Sequence, residues 1–152
     1  MPNPRIATTS DLKALLDLFQ VSALAPAVGP EQPHLAWREM FDDASVTVFI
    51  SEADSKVVAT CTLITAPDLL RRGQRHGFLE NIVTAPGFEG KGHSRAVVEA
   101  ALSAAWQMDC YRVLLQSGRA RTPHFYEHCG FDPEAHTAYV ARPRSPNVPQ
   151  LG

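Results

Sequence analysis

A glycine-rich segment contains residue types that could bind a charged group. It joins a predicted strand to a predicted helix and reads Glu89-Gly90-Lys91-Gly92-His93-Ser94-Arg95. The first amides of a helix lack intrahelical partners and carry the positive end of the helix dipole, and glycines let a phosphate approach the backbone closely. The segment lacks the third glycine of the dinucleotide fingerprint and the Gly-Lys-Ser/Thr ending of a P-loop. It therefore predicts a phosphate or pyrophosphate cradle of another kind, or else a purely structural turn.

A carboxylate stands in the apolar strand that precedes this segment. Alternation along a strand predicts that Glu80 shares a face with Phe78 and Ile82. Asn81 is then expected on the opposite face. A buried acid is costly unless it is used or paired, and burial raises the pKa of a carboxyl group towards the range of a general base. We therefore expect Glu80 to act as a base, with a structural carboxylate bonded to a neighbouring arginine as the alternative.

Three arginines lie close together just before the same strand. They are Arg71, Arg72 and Arg75. Guanidinium groups match phosphates and carboxylates in charge and geometry. The cluster therefore indicates an anionic substrate or the phosphates of a larger ligand, and the alternative is a solvated surface loop.

A short motif near the C-terminus matches the H-x-x-E-H pattern of some zinc peptidases. His124 and His128 are four residues apart and would share a helix face, with Glu127 as the base. A zinc site needs a third protein ligand, and the nearest candidates are Glu134 and His136. Both lie beyond the turn predicted at Gly130, and the same residues fit another helix pattern better, so the metal-hydrolase interpretation is kept only as an alternative.

The periodicity of the chain predicts the elements that position these residues. Ser10 is the predicted N-cap of the first helix, and Gly130 the predicted C-cap of the last. The buried stripe predicted for the long helix is Val97, Val98, Ala101, Leu102, Ala105 and Trp106. Strands are predicted over 5–7, 46–50, 56–64, 77–84, 111–116 and 138–142, and helices over 11–23, around Trp37 to Phe41, over 93–109 and over 122–129.

This order of elements indicates an α+β fold with a mixed sheet. It runs strand, two helices, β-meander, helix, strand, helix, strand. Prolines and a glycine between the first two helices, at Pro26, Gly29, Pro30 and Pro33, predict a loop there. We expect one domain over 1–142 and a flexible or extended proline-rich tail over 143–152.

Composition excludes several classes of protein. The chain has 152 residues, which suits a single domain. Fourteen Lys+Arg against 16 Asp+Glu give a net charge of −2, which does not favour a nucleic-acid or membrane-surface partner. Cys61, Cys110 and Cys129 are too few and too far apart for a disulfide framework. We therefore expect a reduced, cytoplasmic protein.

Four stretches of the sequence together resemble the GNAT superfamily of N-acyltransferases. They are residues 79–84 (LENIVT), 89–98 (EGKGHSRAVV), 110–115 (CYRVLL) and 123–131 (PHFYEHCGF). The resemblance covers nearly the whole chain and is strongest from Leu79 to Phe131. It implies a mixed, mostly antiparallel sheet that is splayed between the fourth and fifth strands and flanked by helices. Coenzyme A would lie in that cleft.

The resemblance also implies a role for each candidate residue in binding acetyl-CoA. The backbone of Ile82, Val83 and Thr84 would pair with the pantetheine arm. The loop amides from about Gly90 to Arg95 would bind the pyrophosphate. No metal is implied.

The resemblance implies catalytic roles as well. Tyr126 would protonate the departing thiolate, and a packed aromatic residue is the alternative. Glu80 stands where members that acetylate glucosamine 6-phosphate place an acid that helps to deprotonate the amine. The acceptor side would include Asn81 and the three arginines. We therefore expect direct acetyl transfer from acetyl-CoA to a primary amine of a small molecule, by a monomer or a homodimer.

Three positions of the loop depart from the family pattern. Glu89 stands where members usually have Arg or Gln, and a carboxylate beside a pyrophosphate should weaken binding unless it pairs with Lys91 or Arg95. His93 replaces a residue that is usually aliphatic, and Ser94 one that is usually Gly or Ala. These departures leave open a second interpretation, a coenzyme-binding or regulatory domain with weak catalysis.

Overall fold

The computed structural model describes residues 1–22, 33–117 and 124–143 of the chain. They divide into two units, Met1–Arg119 and Ala120–Gly152. The first unit contains β1 (Arg5–Ile6), α1 (Leu12–Val21), α2 (Pro33–Asp42), β2 (Val46–Ala53), β3 (Lys56–Ala66), β4 (Arg75–Thr84), α3 (His93–Gln107) and β5 (Cys110–Leu115), with short 3-10 turns at Thr9–Asp11 and Arg71–Gly73. The second unit contains α4 (Phe125–His128).

The five strands form one mixed sheet in the order β1-β2-β3-β4-β5. All neighbours are antiparallel except β4 and β5, which are parallel. The β4–β5 ladder runs from Arg75 to Leu79, while β4 itself continues to Thr84. The two strands are therefore splayed at the carboxyl end of β4, which confirms the predicted α+β fold and its cleft between the fourth and fifth strands.

A β-bulge in β4 lies at the start of this splayed part. Thr62 of β3 opposes Glu80, but Thr60 opposes Val83, so β4 has one extra residue between the two pairs. The backbone of Asn81 accommodates this insertion with a positive φ of 52°. Since opposed residues share a face, Glu80 and Val83 lie on the same face of the sheet. The bulge thus places Val83, rather than the expected Ile82, on the face of Glu80.

Helices cover both faces of the sheet. On one face, α1 and α2 build a core with Ala7, Leu15, Leu18, Trp37, Val48, Ile50, Val57 and Val83. The side chains of adjacent strand residues point to opposite faces of the sheet. Helix α3 packs over the other face, where Ser51 contacts His93, the first residue of α3. Val97, Val98, Ala101 and Ala105 are fully buried in α3. The prediction for Trp106 is wrong, because its side chain is 52% exposed.

The first helix is capped differently from the prediction. Thr8, rather than Ser10, is the N-cap of a 3-10 turn that leads into α1. The Thr8 amide donates to Asp11 Oδ2 at 2.6 Å. Asp11 also accepts two hydrogen bonds from the Arg5 guanidinium, at 2.8 and 3.0 Å. This contact ties β1 to the start of α1.

The second unit has a short helix and an irregular segment after it. The predicted C-cap is confirmed: Gly130 has a φ of 97°, its N–H donates to the Glu127 carbonyl, and the Phe131 N–H donates to the Tyr126 carbonyl. Residues 138–142 do not form the predicted strand and are exposed. The predicted loop over residues 26–30 and the tail from 144 onwards lie outside the described residues. None of the described helices has the length and apolarity that crossing a bilayer requires.

Candidate active site

The glycine loop ends in the exposed N-terminus of α3. Gly90 and Gly92 have φ angles of 72° and 87°, which favour glycine. A Cβ at Gly90 would meet no atom within 4 Å, and one at Gly92 would meet Pro2 at 3.6 Å. The Ala96 N–H donates to the Gly92 carbonyl at 3.0 Å, so the amides of His93, Ser94 and Arg95 precede the first helical hydrogen bond. The open space at these glycines and the position of the amides at the helix N-terminus suit a phosphate.

The side chains of this loop have partners close to it. Glu89 accepts a hydrogen bond from the Gly87 N–H at 2.7 Å. The Lys91 ammonium lies 4.9 Å from the centre of the Phe88 ring. Arg95 donates to Glu99 at 2.6 Å. The carboxylate of Glu89 therefore caps its own turn, a role that the sequence analysis did not foresee.

Two polar contacts fasten the start of α3 to the sheet. The Nδ1 of His93 lies 2.8 Å from Ser51 Oγ, and both side chains are buried. The hydroxyls of Ser94 and Thr84 also form a hydrogen bond. Sequence reasoning missed Ser51; the available signal was a small polar residue at an inward-facing position of β2.

The residues of β4 that follow the ladder differ in exposure. Glu80 and Asn81 are exposed, whereas Ile82 and Val83 are buried. The expectation that Glu80 is buried among apolar neighbours is therefore wrong: its side chain is exposed, and the bulge that follows it takes Ile82 off its face. Ile82, Val83 and Thr84 lie on the part of β4 that extends beyond β5.

The three arginines lie at the other end of β4. Arg71 and Arg72 are exposed in the 3-10 turn, and the Arg71 guanidinium lies 5.4 Å from the Tyr111 ring centre. Arg75 donates to Thr65 Oγ1 at 3.1 Å. Glu80 lies five positions further along β4 than Arg75, which corresponds to roughly 16 Å. The structure does not bring these arginines to the carboxylate, and their role in binding an acceptor stays a prediction.

Tyr126 belongs to the second unit and is half-buried there. Its ring meets Phe125 edge-on at 5.0 Å between centroids and Phe131 at 6.1 Å. The neighbouring His124 has a φ of 63°, outside α4, and its Nδ1 lies 2.6 Å from Glu127. His124 is the N-cap of α4, and its carbonyl accepts a hydrogen bond from the His128 N–H at 3.0 Å, but its left-handed backbone departs from the helical geometry that the H-x-x-E-H pattern assumes. Within the described residues no three His, Cys, Asp or Glu side chains are grouped as metal ligands.

Comparisons with known proteins agree with this fold. Residues 12–131 match the model of the acetyltransferase (GNAT) family. Glucosamine 6-phosphate N-acetyltransferase of Trypanosoma brucei brucei is 27% identical over 128 residues, which are 84% of this chain and 86% of that protein.

Two solved structures have the same fold. One is a protein from Agrobacterium tumefaciens str. C58 that has been assigned as an acetyltransferase. It has a TM-score of 0.83 and 34% identity, and the match covers 93% of this chain and 99% of that chain. The other is a predicted acetyltransferase of Clostridium acetobutylicum solved with acetyl-CoA, with a TM-score of 0.72, 16% identity and coverage of 93% and 96%. Together with the family match over most of the sequence, the glycine loop and the splayed β4 establish the family: the chain belongs to the GNAT acetyltransferases.

Proposed function

We propose that this protein transfers an acetyl group from acetyl-CoA to the primary amine of a small molecule. The observation that carries the proposal is that one unit holds both the amides at the start of α3 and the β4 segment beyond the β5 ladder. The two features are joined by the loop from Thr84 to His93 and by the Thr84–Ser94 hydrogen bond. An acetyltransferase relative that acts on an amino sugar supports the same reaction class.

The binding roles follow from the backbone. Acetyl-CoA, when bound, supplies the acetyl group and a thiol leaving group. The loop amides between Gly90 and Arg95 would hold the pyrophosphate, since helix N-termini favour anions. The backbone of Ile82, Val83 and Thr84 would hold the pantetheine arm along β4. The hydrogen bonds of Ser51 to His93 and of Thr84 to Ser94 hold the start of α3 against the sheet that contains β4.

The catalytic roles fall to two side chains. A primary amine has a solution pKa of about 10.4 and is mostly protonated at neutral pH. The exposed carboxylate of Glu80, at the bulge, would attract that ammonium group and accept its proton, directly or through a water. The phenol hydroxyl of Tyr126 would donate a proton to the departing thiolate.

A catalytically weak coenzyme-binding domain is the second candidate function. It is favoured by Glu89, which places a negative charge in the loop that would hold the pyrophosphate. Such a domain would bind acetyl-CoA but would not release thiol with any amine.

The cysteines bear on where the protein works. Cys61, Cys110 and Cys129 are free and buried. Burial raises the pKa of the Cys61 thiol to about 12, so this thiol stays protonated and unreactive. We propose a cytoplasmic location, because reducing compartments maintain free thiols.

Calorimetry with acetyl-CoA, followed by thiol detection over a panel of primary amines, tests the proposed function. Gly92→Asp should weaken acetyl-CoA binding at least tenfold, because it adds a charge where the phosphates should lie. Gly73→Asp is the matched control, since Gly73 has a φ of 78° and its added Cβ would meet no atom closer than 3.8 Å. Unchanged affinity in Gly92→Asp would place the coenzyme elsewhere. Binding without thiol release from any amine would favour the coenzyme-binding domain.

A further inference from the structure

A cavity of about 210 Å³ lies between α1, α2 and the sheet. Eight of the ten described residues that line it are apolar, among them Leu16 and Phe19 of α1 and Ala36 and Met40 of α2. Trp37 also lines it, and its indole N–H donates to the Thr9 carbonyl at 3.2 Å. The indole therefore needs no hydrogen-bond partner from a molecule in the cavity.

The two polar residues of the lining belong to the bulge region. They are Thr62 of β3 and Asn81 of β4. Thr62 is the residue directly opposed to Glu80, so the Glu80 side chain lies on the same face of the sheet as Thr62. One end of the cavity thus reaches the place on β4 where the proposed function puts amine deprotonation.

The size of the cavity limits what it can hold. An apolar cavity of about 150 Å³ in a protein core binds benzene. A cavity of about 210 Å³ therefore suits a single ring, or an alkyl group of similar size, with a short chain. Burying that apolar surface gives roughly 25 cal/mol per Å² of binding free energy before the costs of ordering.

A phosphorylated amino sugar does not match this lining. Each sugar hydroxyl that is buried without a hydrogen-bond partner weakens binding, and a phosphate needs cations or several N–H donors. All ten described residues that line the cavity are uncharged. Arg71, Arg72 and Arg75 lie at the far end of β4.

We infer that the acceptor is a small primary amine with an apolar body, which lies in this cavity and presents its nitrogen at Glu80. The inference rests on the proposed function and names its substrate class. It separates this chain from its relative that acetylates glucosamine 6-phosphate. The positive charge of the ammonium complements the exposed carboxylate of Glu80, which is paired across the strands with Thr62 of the lining, and the apolar body complements the lining.

Phenethylamine and glucosamine 6-phosphate are the two probes that test this inference. Thiol release from acetyl-CoA is measured with each amine, and kcat/KM should be at least tenfold higher for phenethylamine. Calorimetry with the full chain, saturated with coenzyme A, then measures phenethylamine binding without turnover. If glucosamine 6-phosphate alone gives thiol, the inference is overturned and the proposed function stands. If acetyl-CoA binds and no amine gives thiol, both fall.

Variants that fill the cavity complete the test. Ala36→Leu should weaken phenethylamine binding at least tenfold while leaving acetyl-CoA affinity unchanged. Ala104→Leu is the matched control, a half-buried alanine on α3 away from the cavity. Leu16→Phe fills the same space from α1 and serves if Ala36→Leu does not fold. Phenethylamine affinity that is unchanged in the cavity-filling variants, or that is undetectable in the unmodified chain, overturns the inference.

Discussion

The Nδ1 of His93 and the Oγ of Ser51 lie 2.8 Å apart in the interior of the protein. His93 is the first residue of α3, and Ser51 lies in β2 with no exposed surface. The pair joins the helix end that carries the proposed pyrophosphate site to the middle of the sheet. Because α3 presents its amides only if its first turn is held in place, this contact supports the site without touching a ligand.

A double-mutant cycle should show that the two side chains depend on each other. Ser51→Ala leaves a buried ring nitrogen without its partner, which should lower the free energy of unfolding by about 1–3 kcal/mol. The double variant Ser51→Ala/His93→Leu should lose less unfolding free energy than the sum of the losses in the two single variants. Urea unfolding of the four proteins measures this. Ser103→Ala, exposed on α3, is the control and should change little. Purely additive effects would contradict the coupling.

Glu89 should hinder acetyl-CoA binding through its charge and not through its shape. Glu89→Gln keeps an acceptor for the Gly87 N–H and removes the negative charge near the proposed pyrophosphate site. Between solvated groups that repulsion is worth roughly 1 kcal/mol or less, so binding should tighten by at most about fivefold. Calorimetry at low and high salt should show the gain mostly at low salt. Glu39→Gln on α2 is the control, and weaker binding by Glu89→Gln would show that the charge helps.

The Arg5–Asp11 contact should make stability depend on acid pH. The Arg5 guanidinium holds the pKa of the Asp11 carboxyl at about 2, below its ordinary 3.8. The folded state thus favours the carboxylate, so this stabilisation is complete above about pH 4 and is lost as the pH falls towards about 2. Arg5 is partly exposed, which limits the contribution to about 1–2 kcal/mol. Unfolding of Asp11→Asn and of the unmodified chain should differ at pH 7 and converge near pH 2.

A matched variant separates this contact from an ordinary surface pair. Asp17 pairs with Lys13 one helical turn away, and both side chains are largely exposed. Asp17→Asn should cost no more than about 0.5 kcal/mol at pH 7. Equal losses in Asp17→Asn and Asp11→Asn would show that the partly buried contact has no special weight.

Local patterns predicted the elements of the first unit better than the details of β4. The hairpin of β2 and β3 was foreseen from alternation and from the turn around Asp54 and Ser55, which have φ angles of 50° and 60°. The bulge was not predicted, because the alternation of apolar and polar residues does not reveal an inserted residue. Asn81 was the available hint, since Asn tolerates a positive φ better than most residues. The faces taken by Ile82 and Val83 depend on that one position.

Contacts between distant segments were the other limit. Ser51 meets His93 across 42 residues of sequence, and a polar residue in a strand does not show its partner. Trp106 satisfies the spacing of the buried stripe, yet it lies near the end of α3 and its side chain is exposed. The cavity likewise depends on how α1 and α2 approach the sheet, which their separate periodicities do not determine.

The phenol of Tyr126 should act on the rate of acetyl transfer and not on coenzyme affinity. The ring packs against Phe125 and Phe131, and Tyr126→Phe keeps it while removing the hydroxyl. A general acid is needed only as the thiolate leaves, so its loss should lower kcat by about 100-fold or more. Acetyl-CoA affinity, measured by calorimetry, should stay within a factor of two.

Tyr111→Phe provides the control for losing a tyrosine hydroxyl. That hydroxyl donates to Asp68 near the start of β4, at 3.3 Å, so its removal should leave kcat unchanged. The comparison requires that chemistry limits the rate, which a dependence of kcat on the pKa of the amine would establish. An unchanged kcat in Tyr126→Phe under that condition would remove Tyr126 from the mechanism. The thiolate would then leave directly into water, where a thiol pKa of about 8.5 makes its release without an acid feasible.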